Sequence, residues 1–371
     1  MQELDLKALA SQVLWAAFGL SVVFGAIAQR THFCTMGAVA DIVNIGDWTR
    51  MRMWAMAIGV AMIGFNAMVA LGWVDASKSV YAGPRFTWLS AVAGGLMFGF
   101  GMVLASGCGS KTLVRVGGGN LKSLVVFLML GVAAFATLKG ITAVLRVATV
   151  DTVFISTPAG QDLPTLLAAA TGASKAGLAA ALGLVLGGLL VAWSLASAPG
   201  RSADSLLAGL GLGAVVVGMW WVSGRWGHVT EDPNTLQEAF VATNSQRMES
   251  LTFVAPIAYV LDWLMFFSDK SKLLTIGIVT TVGVVVGSAL YAVSTRSFRW
   301  EGFRDAADTA NHLVGAALMG VGGVTALGCT IGQGMSGIST LSLTSFVALA
   351  SIIAGAVLAL RFQIWRVERA A

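Results

Sequence analysis

The sequence predicts an all-α, polytopic membrane protein, and three observations predict it. Long apolar runs recur from end to end: 57% of the 371 residues are apolar and only 11% charged, against about 25% charged in soluble domains. Glycine is abundant, at 45 residues, which suits membrane helices that approach closely through small faces. Two charge-free, glycine-striped stretches also repeat one another. Residues 94–108 read GGLMFGFGMVLASGC and residues 315–329 read GAALMGVGGVTALGC. They match at Gly94/Gly315, Gly99/Gly320, Gly101/Gly322, Val103/Val324, Ala105/Ala326, Gly107/Gly328 and Cys108/Cys329.

Apolar segments fall near 12–28, 51–73, 87–107, 120–146, 174–196, 203–224, 251–268, 272–294, 307–327 and 342–363. A helix needs roughly 20 residues to cross the hydrocarbon core, and most segments reach that. The segment at 251–268 is shorter and holds Pro256 and Asp262, so nine or ten spans are expected, with shorter re-entrant or half helices. No polar stretch is long enough for a soluble domain. One membrane domain over residues 1–371 is expected, with repeat halves at about 1–173 and 174–371. Trp48, Trp54, Trp73, Trp88, Trp226, Trp300 and Trp365 lie near segment ends, where indoles anchor at the interface.

Basic residues give the orientation. Arg30, Arg50 and Arg52 mark one loop, Arg296, Arg299 and Arg304 another, and Arg361, Arg366 and Arg369 end the chain. This pattern puts the C-terminus in the cytoplasm and, with nine spans, the N-terminus outside. Lys270 and Lys272 fit that scheme poorly. Ala26-Ile27-Ala28 looks like a cleavage box, but the first five residues carry no basic charge, so the first helix is expected to stay uncleaved.

The net charge of +5 is scattered, with no basic stripe interleaved with stacking aromatics, which argues against nucleic acid. Three cysteines cannot all pair with one another, so a disulfide framework is not expected. No Cys or His pair has the spacing of a usual metal site, and nothing calls for a cofactor. The polar loops near 147–173 and 224–250 do not look like folded domains. Glu249 closes the second, immediately before an apolar segment. It is a candidate pore-mouth residue, with a charge capping a helix start as the plainer alternative.

The Gly-Cys pairs carry the functional signal. Each apolar helix ends in Gly-Cys and a small polar turn: Gly109-Ser110-Lys111-Thr112 after Cys108, and Thr330-Ile331-Gly332-Gln333-Gly334 after Cys329. Non-helical backbone at membrane depth is tolerated where protein buries it or it lines a cavity. Gly107, Gly109, Gly328, Gly332 and Gly334 make a break cheap because glycine accepts positive φ. A helix resuming towards Leu121 or Leu343 would present unpartnered amides and the positive end of its dipole, a ready anion site. Two pseudo-symmetric repeats would then face two such sites towards the midplane, as in transporters built from broken helices. The plainer alternative is a pair of glycine-zipper helices with cysteine as a small filler. Candidate path residues are Cys108 and Cys329, with Gly109, Ser110, Lys111, Thr330, Ile331, Gly332 and Gln333 as binding groups. Lys111 and Arg115 either add positive potential or mark a helix end. Cys34 follows the first span and could sit at one mouth.

Three motifs in order resemble the YeeE/YedE sulfur-transport family: residues 30–38 (RTHFCTMGA), residues 105–115 (ASGCGSKTLVR) with the glycines at 117–119, and residues 326–334 (ALGCTIGQG). Residues 249–253 (ESLTF) are similar to a further family segment. The resemblance covers nearly the whole chain. It implies a multi-pass bacterial inner-membrane thiosulfate importer, hourglass-shaped, with pseudo-symmetric halves and with Cys34, Cys108 and Cys329 as path cysteines. Family members also handle other sulfur or selenium chemistry.

Thiosulfate is a dianion with oxyanion oxygens and one soft terminal sulfur. Amides after Cys108 and Cys329 would hold the oxygens, and weak, repeated thiol sites would pass the ion from Cys34 through Cys108 to Cys329. Apart from the ion and membrane lipid, a small cytosolic sulfur-carrier protein is the expected partner. Two readings compete with this non-enzymatic one. A membrane sulfurtransferase would keep the terminal sulfur as a cysteine persulfide. A metal transporter would assemble a Cu(I) site from the three cysteines.

Overall fold

Nine of the ten apolar segments form long helices in a computed structural model that describes residues 2–232 and 235–370. Residues 1, 233, 234 and 371 lie outside the described residues, so the chain's first residue and two residues of the second polar loop are not covered. The long helices are α1 (Gln2–Thr31), α3 (Thr49–Ala70), α4 (Trp88–Leu104), α6 (Leu121–Lys139), α9 (Lys175–Leu195), α10 (Ala203–Trp226), α12 (Ile276–Ser294), α13 (Ala306–Thr325) and α15 (Leu343–Ala370). Among the described residues, eight helical stretches are long and apolar enough to cross a membrane. The chain is therefore an all-α polytopic membrane protein.

The tenth segment is the short helix α11 (Val254–Met265) of 12 residues. At 1.5 Å per residue it is too short to cross. Pro256 lies in its first turn, where a missing N–H costs little. Asp262 is paired with Lys272 at 2.6 Å, which accounts for two charges that fit the sequence pattern poorly. The segment expected at 120–146 is interrupted at Gly140, whose extended backbone divides α6 from α7 (Ile141–Ala148).

Short helices stand between long ones. These are α2 (Thr35–Ile45), α5 (Gly109–Gly117) and α14 (330–339); a further short one, α8 (Leu163–Thr171), lies in the loop before α9. The links into α2, α5 and α14 share one construction. His32, Ser106 and Leu327 are left-handed, with φ of 51°, 56° and 57°. The next amide then reaches back five residues: Phe33 to Ala28 at 3.2 Å, Gly107 to Met102 at 2.8 Å, Gly328 to Gly323 at 2.8 Å. This is the Schellman closure, which satisfies carbonyls that a helix end leaves free. Sequence reasoning placed the positive φ on glycines; it falls instead on the residue before Gly107 and Gly328. The bond pattern fixes which residue turns, and glycine is merely its commonest occupant. A second left-handed residue precedes the next long helix each time: Gly46, Gly119 and Leu341.

Glycine does matter where helices touch. A Cβ on Gly94 would lie 2.5 Å from the Ala326 nitrogen and 2.6 Å from the Gly322 oxygen, and one on Gly315 would lie 2.6 Å from the Ala105 nitrogen and the Gly101 oxygen. These contacts are mates: Gly94 is to α13 what Gly315 is to α4, with the helices antiparallel. Likewise Gly99 packs on Ile352 and Ala356 of α15, and Gly320 on Leu130 and Ala134 of α6. Gly25 and Gly287 seat α1 along α12, and Gly209 and Gly213 seat α10 along α3. Backbone contact of this kind is how membrane helices gain packing energy where lipid offers no hydrophobic drive.

Two small antiparallel strand pairs tie down loops: β1 (Arg85–Phe86) with β2 (Ile155–Ser156), and β3 (His228–Val229) with β4 (Ala239–Phe240). Of the tryptophans assigned to the interface, Trp48, Trp73, Trp88, Trp226, Trp300 and Trp365 are exposed. Trp54 differs: it is 3% exposed and its ring packs where a Cβ on Gly334 would fall, 2.6 Å from Cζ2.

Candidate functional site

All three cysteines sit immediately ahead of a short helix, and the backbone puts them there. Cys34 caps α2, its Sγ accepting from the Gly37 amide at 3.4 Å. Cys329 precedes α14 and accepts from the Gly332 amide at 3.4 Å. Cys108 caps α5, with Sγ 3.2 Å from Ser110 Oγ and the Lys111 amide also directed at it. Each sulfur therefore faces the amide three residues on, one of the donors that a helix start leaves free.

The cysteines are buried, Cys34 at 7% exposure and the other two at 0%. Cys34 and Cys108 are close neighbours, near enough for each to act on the other's charge. Cys34, expected at one mouth of the path, is buried beside Cys108. Thr330 lies against Cys108, and the residue before it is Cys329. The Cys329 sulfur faces the amides of Phe253 and Ile331. Among the described residues no cluster of three His, Cys, Asp or Glu side chains is placed to hold a metal.

The surroundings of the two Gly-Cys turns differ. Lys111 sits among Cys34, Cys108, Arg115 and Arg50. Arg115 donates from Nη1 to the Ser106 carbonyl at 2.8 Å, and Arg50 is ion-paired to Asp41 at 3.3 Å. At the other turn Gln333 donates to the Ala326 carbonyl at 2.5 Å and accepts from Ser345 Oγ at 2.6 Å. Its polar ends are spent inside the protein, which makes Gln333 a pin for the turn.

A cavity of about 200 Å³ opens beside the second turn, lined in part by Tyr81, Glu249, Thr252, Tyr259, Leu327 and Gly328. Tyr81 is hydrogen-bonded to Thr252, and burial pushes its phenol further up, so it stays a proton donor. Glu249 lies in the loop before α11, outside the spans. One of its oxygens accepts weakly from Ser245 Oγ at 3.4 Å, and Oε1 is buried with no partner. Burial, opposed by contacts with Asn244 and Ser245, pushes its carboxyl up to about 7.

Sequence reasoning missed Tyr81, Thr252, Thr35 and the amide of Phe253. Thr35 had a signal, since it follows Cys34 as Thr330 follows Cys329. Tyr81 had none, because only the folding of the 71–87 loop brings it to α14.

Broken membrane helices that converge buried thiols and free amides beside a cavity define a membrane transporter. The chain belongs to the sulphur transport family, whose profile matches residues 30–358, and it is a multi-pass transporter, not an enzyme. It is 26% identical over 337 residues to the thiosulfate transporter TsuA of Escherichia coli K12, covering 90% of each chain. It is 23% identical over 360 residues to TsuA of Spirochaeta thermophila, covering 92% of this chain and 97% of the relative. A shorter match, 34% over 110 residues, links it to the probable transporter YedE of Salmonella typhimurium, covering 30% of this chain and 26% of the relative.

Proposed function

We propose that this protein imports thiosulfate across a bacterial inner membrane, passing the ion along Cys34, Cys108 and Cys329. The observation that carries this reading is the buried line of sulfurs, each with a helix-start amide beside it. A thiol is a weak donor with a polarizable sulfur, matched to the terminal sulfur of the ion. Free amides match its oxygens. Weak and repeated sites let a permeant leave again. The reciprocal glycine contacts support two inverted halves, about 1–173 and 174–371, that narrow to an hourglass at the cysteines. Nine long helices with the arginine-rich C-terminal end favour a cytoplasmic C-terminus.

A dianion entering a negative interior meets about 4.6 kcal/mol per 100 mV, over a thousandfold in concentration at about 1.4 kcal/mol per decade. Net import therefore requires coupling or rapid removal inside. Removal by a small cytosolic sulfur-carrier protein would meet that requirement.

The test is uptake of labelled thiosulfate into proteoliposomes by purified protein. Cys108→Ala and Cys329→Ala should each cut uptake at least about tenfold, the effect of roughly 1.4 kcal/mol, while still inserting. Because Cys34 lies against Cys108, Cys34→Ala should fall with them. Normal transport by a folded Cys108→Ala or Cys329→Ala variant sinks the relay.

A further inference from the structure

Two buried hydroxyls beside the cysteines find no oxygen or nitrogen to bond. Thr35 is 1% exposed and Thr330 is 0% exposed, and the Oγ1 of each is sealed from solvent; Thr35 has no hydrogen-bond partner, and Thr330 has none but the neighbouring Cys108 sulfur, a weak acceptor. Most buried threonines here return their hydroxyl to a carbonyl of their own helix: Thr137 to Ala133 at 2.8 Å, Thr281 to Gly277 at 2.9 Å, Thr325 to Val321 at 2.7 Å. Thr35 and Thr330 have no such recourse. Each is the first residue of its helix, so no helical turn precedes it to supply a carbonyl. Leaving a donor unpaired in a buried site costs the full loss of its hydration. A native structure tolerates that where a ligand completes the bond.

The two hydroxyls hold equivalent places. Thr35 follows Cys34 and Thr330 follows Cys329, while α5 has Gly109 at that position. Between them stands Cys108, with the free Cys34 thiol beside it on one side and Thr330 on the other. The starts of α2, α5 and α14, helices of nine residues or more, thus converge on one sulfur. Their dipoles favour an anion there. Gly109 leaves room beside Cys108, since a Cβ on it would come no nearer than 3.7 Å to its neighbour Phe253.

We propose that Thr35 and Thr330 are anion-binding residues, their hydroxyls donating to oxygens of a tetrahedral oxyanion whose soft sulfur faces Cys108. This rests on the reading of the protein as a thiosulfate importer and adds which side chains grip the oxygens. The hydroxyls recognise the part that thiosulfate shares with sulfate, and the thiols recognise the part that differs. Two substitution classes therefore separate two properties. Removing a hydroxyl weakens binding of both ions alike. Removing a thiol weakens the preference for thiosulfate.

The experiment compares Thr35→Val, Thr330→Val and the matching serine variants in proteoliposomes, with labelled thiosulfate as probe and unlabelled sulfate as competitor. Each valine variant should raise the half-saturating thiosulfate concentration roughly tenfold, the loss of one hydrogen bond to a charged group. The ratio of sulfate to thiosulfate inhibition should stay unchanged, and serine should restore most of the affinity. Thermal stability of the empty valine variants should match or exceed the wild type, because a buried donor with no oxygen or nitrogen partner is removed. A merely structural threonine would lose stability instead. Wild-type affinity in both valine variants overturns the proposal while leaving the importer reading intact. Absence of thiosulfate uptake by the wild-type protein overturns both. Should a valine variant fail to insert, the alanine and serine variants carry the same comparison.

Discussion

The turn at Cys108 and the turn at Cys329 share a backbone and little else. Both follow a long helix, both place a left-handed residue two positions before the cysteine, and both close with the same five-residue bond. Their side chains then diverge. Arg115 ties the first turn and Gln333 the second. Position three after the cysteine is Lys111 in one and Gly332 in the other. The second turn also has one more residue before its next left-handed position, Leu341 against Gly119, and α14 takes it up as a π-helical stretch (Gly332–Gly337). An extra residue absorbed as a π-turn, often at a functional site, is a known device. Backbone hydrogen bonds thus preserve the duplicated shape, and the side chains are free to make one turn cationic and the other neutral.

The largest expected effect attacks the shared frame. Leucine at Gly94 or at Gly315 would push a side chain into the facing backbone, 2.5 or 2.6 Å from the nearest atom. Each should destabilise by about 3 kcal/mol or more, read as loss of monodisperse protein in a thermal scan. Equal damage sharpens the equivalence of the two helices, and tolerance of either breaks it. Gly107→Ala supplies the contrast. Its Cβ would meet the flexible Lys111 stem at 3.2 Å, so it should cost no more than about 1 kcal/mol.

Next comes the cationic turn. Lys111 has neither a carboxylate partner nor a counterpart at the second turn. Lys111→Met keeps the stem and removes the charge. It should lower thiosulfate uptake about tenfold, roughly 1.4 kcal/mol, and flatten the dependence of uptake on salt. An unchanged rate would mean that the two turns differ in composition and not in task.

A smaller effect lies on the neutral side. Glu249, beside the second turn, has its carboxyl raised from 4.5 to about 7 by burial. It is therefore neutral below about pH 7 and ionised above. An ionised carboxylate at the cavity repels a dianion, so uptake should fall severalfold as pH on that side rises from 6 to 8, a span of about 2 units over which a group of pKa 7 changes charge. The sign for stability is the same. A raised carboxyl favours the folded state at low pH, and that contribution is lost as pH rises through 4.5 to about 7. Glu249→Gln should make uptake independent of pH in this range. A slope that survives in Glu249→Gln assigns the pH dependence elsewhere.

The spans were legible because hydropathy and length are nearly sufficient for membrane helices, and nine of ten segments became long helices. The duplicated Gly-Cys stretches were legible because glycine spacing survives wherever backbones must touch. The short helices were legible in kind, as re-entrant or half helices, but not in position or extent. The α5 sequence GSKTLVRVG reads as a polar turn, and only its burial between long helices makes a helix of it. Trp54 was misread because it lies near a segment end, whereas α3 packs against α14 there and buries the indole. Left-handed Ser106 and Leu327 were invisible because neither residue type favours that conformation.

Those two residues give the smallest and most diagnostic prediction. A left-handed conformation costs an ordinary residue about 1–2 kcal/mol, and glycine adopts it freely but loses about 0.5–1 kcal/mol of backbone entropy on folding. The balance at Leu327 should favour glycine. Its side chain is 44% exposed, so little packing is lost, and leucine has no local hydrogen bond to soften the strain. Leu327→Gly should raise stability by about 0.5 kcal/mol. Ser106→Gly should gain less, since a small polar residue suffers less there. The sign is the test, because glycine at an ordinary helical position costs about 1 kcal/mol. Thermal unfolding of the two variants in detergent, side by side, measures it. A fall in both would mean that the turns are not held left-handed and that the common backbone of the two cysteine sites is wrong.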